Sequence, residues 1–141
     1  MEFANATNVI MLLEDMTMSN IKVQLWGRTF DLLVEKARCK SAELVHTQEE
    51  AYQCILNRWD AVESSLDDLK RYCLKKNGED IGASIDNIFK YVIPKALYIP
   101  RCKSGRTCAI LCNYKFDPEH GLALVFKNEK LADIGPEDVI S

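Results

Sequence analysis

The sequence contains few of the features that mark membrane or secreted proteins. Its first twenty residues carry no Lys or Arg, so the basic start of a secretory signal is missing. The apolar run Val9–Leu13 is followed at once by Glu14 and Asp15, and it is far shorter than the roughly 20 residues of a membrane-spanning helix. We therefore expect a cytoplasmic protein without a membrane partner.

The spacing of the cysteines excludes the common zinc sites. The six cysteines are Cys39, Cys54, Cys73, Cys102, Cys108 and Cys112. No two of them have the C-x2-C separation of a zinc clamp, and Cys108 and Cys112 would lie about 13 Å apart on one strand. Because nothing indicates secretion, we expect free thiols in a reducing compartment.

The familiar motifs of enzymes are also missing. The sequence contains no nucleophile elbow, P-loop, dinucleotide fingerprint or H-E-x-x-H motif. These absences favour a non-catalytic protein and predict no cofactor, although they do not remove the enzyme hypothesis.

Size and charge indicate a single folded domain rather than a nucleic-acid binder. The chain has 141 residues, of which 48% are hydrophobic and 28% are charged, which is ordinary for one globular domain. Its net charge is −3, whereas proteins that bind DNA or RNA usually carry a basic face that replaces phosphate counterions. We expect no nucleic-acid partner.

The first twenty residues differ from the rest because they are rich in Met, Asn and Thr and show no clean period. They form either a loosely packed extension, with a short helix around residues 7–16, or a segment whose apolar run packs on the domain. Met18 is a candidate for the natural start of translation. We assign residues 1–20 to an N-terminal extension and 21–141 to a single domain.

Residues 21–36 show the period of two that is typical of a β-hairpin. The turn is expected at Trp26-Gly27-Arg28, where Gly27 supplies a positive φ. The apolar positions that alternate with polar ones are Ile21, Val23, Leu25, Phe30, Leu32 and Val34.

The strongest pattern predicts a helix over about residues 48–76. Thr47 and Glu50 have the spacing of a capping box, Asn77-Gly78 offers a left-handed stop, and Ser64-Ser65 is the point at which the helix would break. An apolar stripe recurs in steps of three and four. It consists of Ala51, Ile55, Trp59, Val62, Leu66, Leu69 and Cys73.

The last third of the chain favours strands. A second short helix or helical turn within residues 79–93 is expected to end by about Ile93, because Pro94 follows. Short apolar runs bounded by turn residues then predict strands at 96–99, 107–114, 121–127 and 131–134. This order predicts an α+β fold in which an antiparallel sheet of about five to six strands, with an N-terminal hairpin and a C-terminal meander, packs on one long helix.

The connection Asp117-Pro118-Glu119-His120-Gly121 is the most distinctive candidate site. Asp117, Glu119 and His120 could bind a divalent metal, or His120 could act as a general base that a carboxylate orients. The alternative is a turn, in which Pro118 presets φ, Asp117 caps the backbone and Gly121 takes a strained φ. Composition favours the turn because every residue has a role in it.

Two further candidates concern partner binding. The predicted helix carries an acidic outer face that could dock on a cationic partner and steer its approach, although such a face is usually only solvated. Trp26, at the end of the hairpin, is expected to be exposed enough to bind a partner or a small ligand, whereas Trp59 is assigned to the core. The acidic residues are Asp60, Glu63, Asp67 and Asp68.

The C-terminal part of the chain resembles a family of small bacterial proteins of unknown function. Members have a related D-P-E-H-G strand connection and end in a similar strand and Ile-Gly-Pro turn. The similarity is loose over residues 21–141 and best over 87–140. The stretches that carry it are Asn87–Pro94, Leu111–Tyr114, Asp117–Gly121, Leu122–Phe126 and Ile134–Asp138.

Small α+β proteins of this kind resemble immunity proteins, which neutralise a toxin by binding it. The resemblance implies a protein partner and supplies no catalytic residues, and the functional step is an analogy between folds. The leading hypothesis is a bacterial binding protein of immunity type. The alternative is a small metal-dependent or hydrolytic enzyme centred on Asp117, Glu119 and His120, and the oligomeric state stays open.

Overall fold

The computed structural model describes residues 17–101 and 105–140. These residues form six strands and three α-helices, with a short 3₁₀ turn before the third strand and another after the last. The strands are β1 (Thr17–Leu25), β2 (Arg28–Lys36), β3 (Val92–Ile99), β4 (Thr107–Tyr114), β5 (Leu122–Lys127) and β6 (Lys130–Gly135). The helices are α1 (Ala42–Asn57), α2 (Trp59–Glu63) and α3 (Leu66–Ile81), and the 3₁₀ turns are Ile88–Lys90 and Glu137–Val139.

All six strands form one sheet in the order β1-β2-β3-β4-β5-β6. The predicted α+β class is confirmed, but the sheet is mixed, because β2 and β3 run parallel from Leu33 paired with Ala96 to Lys36 paired with Ile99. Every other pair is antiparallel. The exception arises because the helices between β2 and β3 form a crossover that returns the chain to the end of the sheet where β2 began.

The predicted hairpin and the two C-terminal hairpins are present. β1 and β2 pair antiparallel from Thr17 with Lys36 to Leu25 with Arg28, so the first strand begins four residues before the predicted position 21. The remainder of the extension predicted for residues 1–20 lies outside the described residues.

The predicted long helix is present as three segments that bend at two points. One bend lies at Ser64-Ser65 as expected, and a second lies at Arg58, the residue between α1 and α2. Of the apolar stripe, five side chains are buried, and Trp59 and Leu66 are half-buried against the same core. The five buried residues are Ala51, Ile55, Val62, Leu69 and Cys73.

The ends of the helical region differ from the sequence-based expectation. Ser41 caps α1 by accepting a hydrogen bond from the backbone N–H of Leu44 at 3.4 Å, so the capping box predicted at Thr47 is wrong. The Thr47 hydroxyl instead donates to the carbonyl of Glu43 at 2.9 Å. At the other end α3 continues through Asn77 to Ile81, so the stop predicted at Asn77-Gly78 is wrong too.

The second short helix or helical turn predicted within residues 79–93 is present as a turn and not as a longer helix. Only Ile88–Lys90 forms a 3₁₀ turn, and β3 begins at Val92. Pro94 lies inside this strand, although proline cannot donate to a ladder of hydrogen bonds. It is tolerated there because the pairing of β3 with β2 begins only at Ala96.

The sheet is strongly curled, and α2 lies where its two edges approach each other. In a flat sheet, five spacings of about 4.8 Å would separate β1 from β6 by about 24 Å. Yet α2, which is only five residues long, contacts both β1 and β6. The indole Nε1 of Trp59 donates to the carbonyl of Gln24 in β1 at 2.7 Å. A side-chain hydrogen bond therefore links α2 to the edge strand β1.

A smaller apolar cluster lies outside the main core. Ala109, Ala123 and Val125 are buried there, and Leu111 and Ile140 pack against them. The chain after β6 therefore covers part of the second face of the sheet. Within residues 17–101 and 105–140, no helix combines the length and the hydropathy that crossing a membrane requires.

Gln48 is a buried polar residue that ties α1 to the parallel strand pair. The residue is only 3% exposed. The amide Nε2 donates to the carbonyls of Ala37 at 2.7 Å, Ile99 at 3.2 Å and Pro100 at 3.2 Å. These carbonyls lie at the end of β3 or directly after β2 and β3, so one amide links the parallel pair to α1.

We expect Gln48→Ala to lower the free energy of unfolding by about 1–3 kcal/mol, because the hydrogen bonds of a buried amide to three backbone carbonyls are then lost. Urea unfolding of the purified chain measures this change. Gln53→Ala is the matched control, since the exposed Gln53 amide donates to the exposed side chain of Glu49, at 3.2 Å, and to no buried carbonyl among the described residues. Equal midpoints for the two variants would contradict the role given to Gln48.

Candidate functional site

The D-P-E-H-G connection joins β4 to β5 and folds as a turn. One carboxylate oxygen of Asp117, Oδ1, accepts hydrogen bonds from the backbone N–H of His120 at 3.2 Å and from its ring Nδ1 at 3.0 Å. The backbone N–H of Gly121 donates to the carbonyl of Asp117 at 2.8 Å. Asp117 therefore caps the connection through both its side chain and its main chain.

Gly121 completes this turn for steric reasons. Its φ is +66°, a conformation that side chains with a Cβ adopt at a cost. A Cβ at this position would also lie 2.7 Å from the carbonyl oxygen of Cys112. The motif therefore meets a structural requirement at its last position, independent of any chemistry.

The ion pair in the connection shifts two pKa values. The hydrogen bond from His120 lowers the pKa of Asp117 below its ordinary 3.8, and the hydrogen bond to Asp117 raises the pKa of His120 above its ordinary 6.5. The side chain of His120 is 56% exposed, so water screens the pair and we assign it no stabilisation energy.

The geometry does not support a metal site at this connection. Glu119 is exposed and affects His120 through its charge. Among the described residues, no three His, Cys, Asp or Glu side chains are arranged to hold a metal ion. His46, the second histidine, is exposed on α1 and does not join the pair.

The buried cysteines are not suited to nucleophilic catalysis. Burial raises the pKa of Cys73 to about 11, and burial likewise raises the pKa of Cys112. A nucleophilic cysteine needs a lowered pKa, since the thiolate is the reactive form. In the described part of the chain the cysteines form no disulfide bond, and Cys102 lies outside it.

A pocket of about 250 Å³ lies between α3 and the D-P-E-H-G connection. The helix contributes three residues, Tyr72, Lys76 and Asn77, and the chain from the end of β4 contributes Tyr114, Phe116 and Asp117. The connection that stands out in the sequence is therefore one wall of a pocket, and α3 is the opposite wall.

Asn77 is positioned in this pocket by a local departure from helical geometry. Its φ and ψ are −133° and 31°, outside the helical range, although α3 continues on both sides. The Oδ1 atom accepts a hydrogen bond from the hydroxyl of Tyr114 at 2.7 Å. A kink of this kind inside a helix is a reason to look for a local function.

Aromatic rings pack against one another beside the pocket. The rings of Tyr114 and Phe116 meet edge to face, with centroids 5.7 Å apart and planes at 80°. Tyr91 stacks on Phe116 with centroids also 5.7 Å apart. Lys115 lies over both Tyr91 and Phe116, 5.8 Å from each centroid.

The four acidic residues predicted to bind a partner lie together on α2 and the start of α3, and we call this surface the acidic edge. Asp60 lies 3.7 Å from Arg58, and Asp68 lies 3.0 Å from Arg71, both in exposed ion pairs. Within the described ranges, Glu63 and Asp67 have no ion-pair partner. Asp60, Asp67 and Asp68 occupy the first turns of their helices, where negative charge also stabilises the helix.

The expectation that Trp26 is exposed is wrong. The residue is only 7% exposed, because its ring packs 6.2 Å from that of Phe89 and its Nε1 donates to the Ser65 hydroxyl at 3.4 Å. Its φ of 54° is unusual for a bulky residue. The two-residue turn with Gly27 bends this side chain inward, so Trp26 offers little surface to a partner.

The pocket residues on α3 were not found from the sequence. Tyr72 and Lys76 have no local signal, because their proximity to the connection depends on how α3 packs on the sheet. Asn77 did have a signal, since an asparagine before a glycine is unusual inside a helix, but that pair also marks helix ends.

Comparison with known families gives one match. A family model described as a domain of unknown function matches residues 12–141, which confirms the expected resemblance to a family of unknown function. No curated protein and no solved structure matches the chain.

We expect the pKa of His120, measured by NMR titration of its ring, to lie above 6.5. Asp117→Asn should return it toward that value, because the hydrogen bond to Asp117 is the largest cause of the shift. Glu119→Gln is the isosteric control and should lower the pKa less, since Glu119 acts only through its charge.

The pH dependence of the Asp117–His120 pair follows from the directions of the two pKa shifts. The contribution of His120 to folding stability is fully present below pH 6.5 and is lost as the pH rises through its raised pKa. The contribution of Asp117 to folding stability is present above pH 3.8 and is lost as the pH falls through its lowered pKa. An unchanged His120 pKa in Asp117→Asn would contradict the pairing.

Proposed function

The chain belongs to the DUF6985 family of domains of unknown function, and from this premise we propose that it is a protein-binding domain of immunity type. In this proposal it acts in the bacterial cytoplasm and neutralises a toxic protein by covering part of its surface. The contact surface is the acidic edge, and the partner presents a basic surface.

The presence of unpaired acidic side chains on two helices that pack against the core is the observation that carries the proposal. Glu63 and Asp67 have no ion-pair partner within the part of the chain that the structure describes, and both belong to helices whose apolar faces are buried. The hydrogen bond from Trp59 to Gln24 fixes the orientation of α2. Charges fixed in this way favour electrostatic complementarity, which raises association rates and selects partners of opposite charge.

Variants at Glu63 distinguish partner binding from a purely structural role of the acidic residues. Asp60, Asp67 and Asp68 also stabilise the helix ends at which they lie, so their charges have a sufficient structural reason. Glu63 is the last residue of α2 and gains no such stabilisation from its own helix. A loss of affinity without a loss of stability in Glu63 variants therefore supports the binding role.

The enzyme alternative is not proposed. Its three residues fold as a turn with one exposed ion pair, and Glu119 does not converge with Asp117 and His120. No other observation in the described residues favours a hydrolytic or metal-dependent reaction.

We expect the double variant Glu63→Gln/Asp67→Asn to bind its partner about tenfold more weakly, a change of about 1.4 kcal/mol. The wild-type chain serves as bait in a lysate of its native cell, and the affinity of the captured protein is then measured for each variant across a salt series. Association of the wild type should weaken as salt rises.

Glu50→Gln/Glu79→Gln is the matched control, because it also removes two negative charges, in this case from exposed residues outside the acidic edge. Equal affinities for the two double variants would remove the acidic edge from the proposal. The immunity role is tested separately by producing the captured protein in a growing cell. Co-production of the wild-type chain should restore growth, and a captured protein that does not impair growth would contradict that role.

A further inference from the structure

The pocket between α3 and the D-P-E-H-G connection contains polar groups that the fold leaves unused. Among the described residues, nothing hydrogen-bonds to the Tyr72 hydroxyl. Asn77 uses only Oδ1, toward Tyr114, so its Nδ2 amide keeps both donors. Asp117 uses only Oδ1, toward His120, so Oδ2 keeps its acceptor sites. Lys76 adds an exposed ammonium group at the rim.

These groups combine donors with acceptors and do not present one dominant charge. The ammonium of Lys76 and the amide of Asn77 donate, the carboxylate of Asp117 accepts, and the phenol of Tyr72 does both. A simple anion would meet the negative charge of Asp117, and a simple cation would meet that of Lys76. Hydroxyl groups suit such a set because each one donates one hydrogen bond and accepts others.

The aromatic rings suit the remaining face of such a ligand. Phe116 is fixed between Tyr114 on one side and Tyr91 on the other, and it lines the pocket with Tyr72. A ring with hydroxyls at its rim and C–H groups on its face can pack on these aromatic side chains while its rim reaches the polar groups. The volume of about 250 Å³ lies below the roughly 300–1,000 Å³ of pockets for drug-sized ligands, so one ring is the appropriate size.

We infer that this pocket binds a single sugar ring of a free monosaccharide or of the end of a glycan. None of the residues that line the pocket belongs to the acidic edge, and the inference does not depend on the proposed protein binding. The kink at Asn77 has a purpose in this arrangement, because it brings the side-chain amide to the pocket and lets Tyr114 hold it in place.

The test titrates the ¹⁵N-labelled chain with the methyl glycosides of glucose, galactose and mannose and with N-acetylglucosamine. We expect saturable shifts of amide signals around residues 72–77 and 114–121 for at least one sugar. The dissociation constant should be about 1 mM, since one ring buries little area.

Two variants remove polar groups and keep the packing. Tyr72→Phe loses only the hydroxyl and Lys76→Met only the ammonium, and each should weaken binding about three- to tenfold. Lys75→Met is the matched control, because it makes the same change at the exposed neighbouring residue, which does not line the pocket. It should bind as the wild type does.

Inorganic phosphate, acetate and glycine are titrated as competing classes. Saturable binding of one of them in place of the sugars would overturn the assignment of a hydroxylated ring. The inference would equally be overturned by an absence of shifts for every sugar at about 50 mM, well above the expected dissociation constant, or by equal weakening in Lys75→Met and Lys76→Met.

Discussion

The position of α2 between the two edges of the curled sheet is the constraint on which the rest of the structure depends. The five residues of α2 contact both edge strands, which a flat sheet would hold about 24 Å apart, so the helix packs where the edges of the curled sheet approach each other. The bends at Arg58 and Ser64-Ser65 follow from this position. A straight helix that starts beside the ends of β2 and β3 could not change direction to pass between the edge strands and then return along the sheet. The acidic edge is on the outside for the same reason, since Val62 faces inward.

The parts of the fold that could be predicted are those that depend on local periodicity. The alternation in β1 and β2 and the stripe from Ala51 to Cys73 each follow from the geometry of one element, and both are present. The parallel pairing of β2 with β3 could not be predicted, because those strands are separated by the whole helical region. The burial of Trp26 depends on Ser65 and Phe89, which are 39 and 63 positions further along the chain, and no local pattern reports such contacts.

The candidate site divides in the same way. The D-P-E-H-G connection was recognisable because Asp117, Pro118 and Gly121 each have a known preference in turns, and the structure shows these preferences in use. The opposite wall of the pocket could not be located, because Tyr72 and Lys76 acquire their role only when α3 packs against the end of β4. Asn77 carried a genuine irregularity in sequence, but the same pair of residues marks helix ends more often than kinks.

The hydrogen bond from Trp59 to the carbonyl of Gln24 has a consequence for behaviour at high concentration. Exposed edge strands are templates on which another chain can add a strand and begin to aggregate. Here α2 covers part of each edge strand. Trp59 in α2 donates a hydrogen bond to β1, and the same helix contacts β6. Local melting of α2 would therefore uncover parts of both edges together, and each could then pair with another chain.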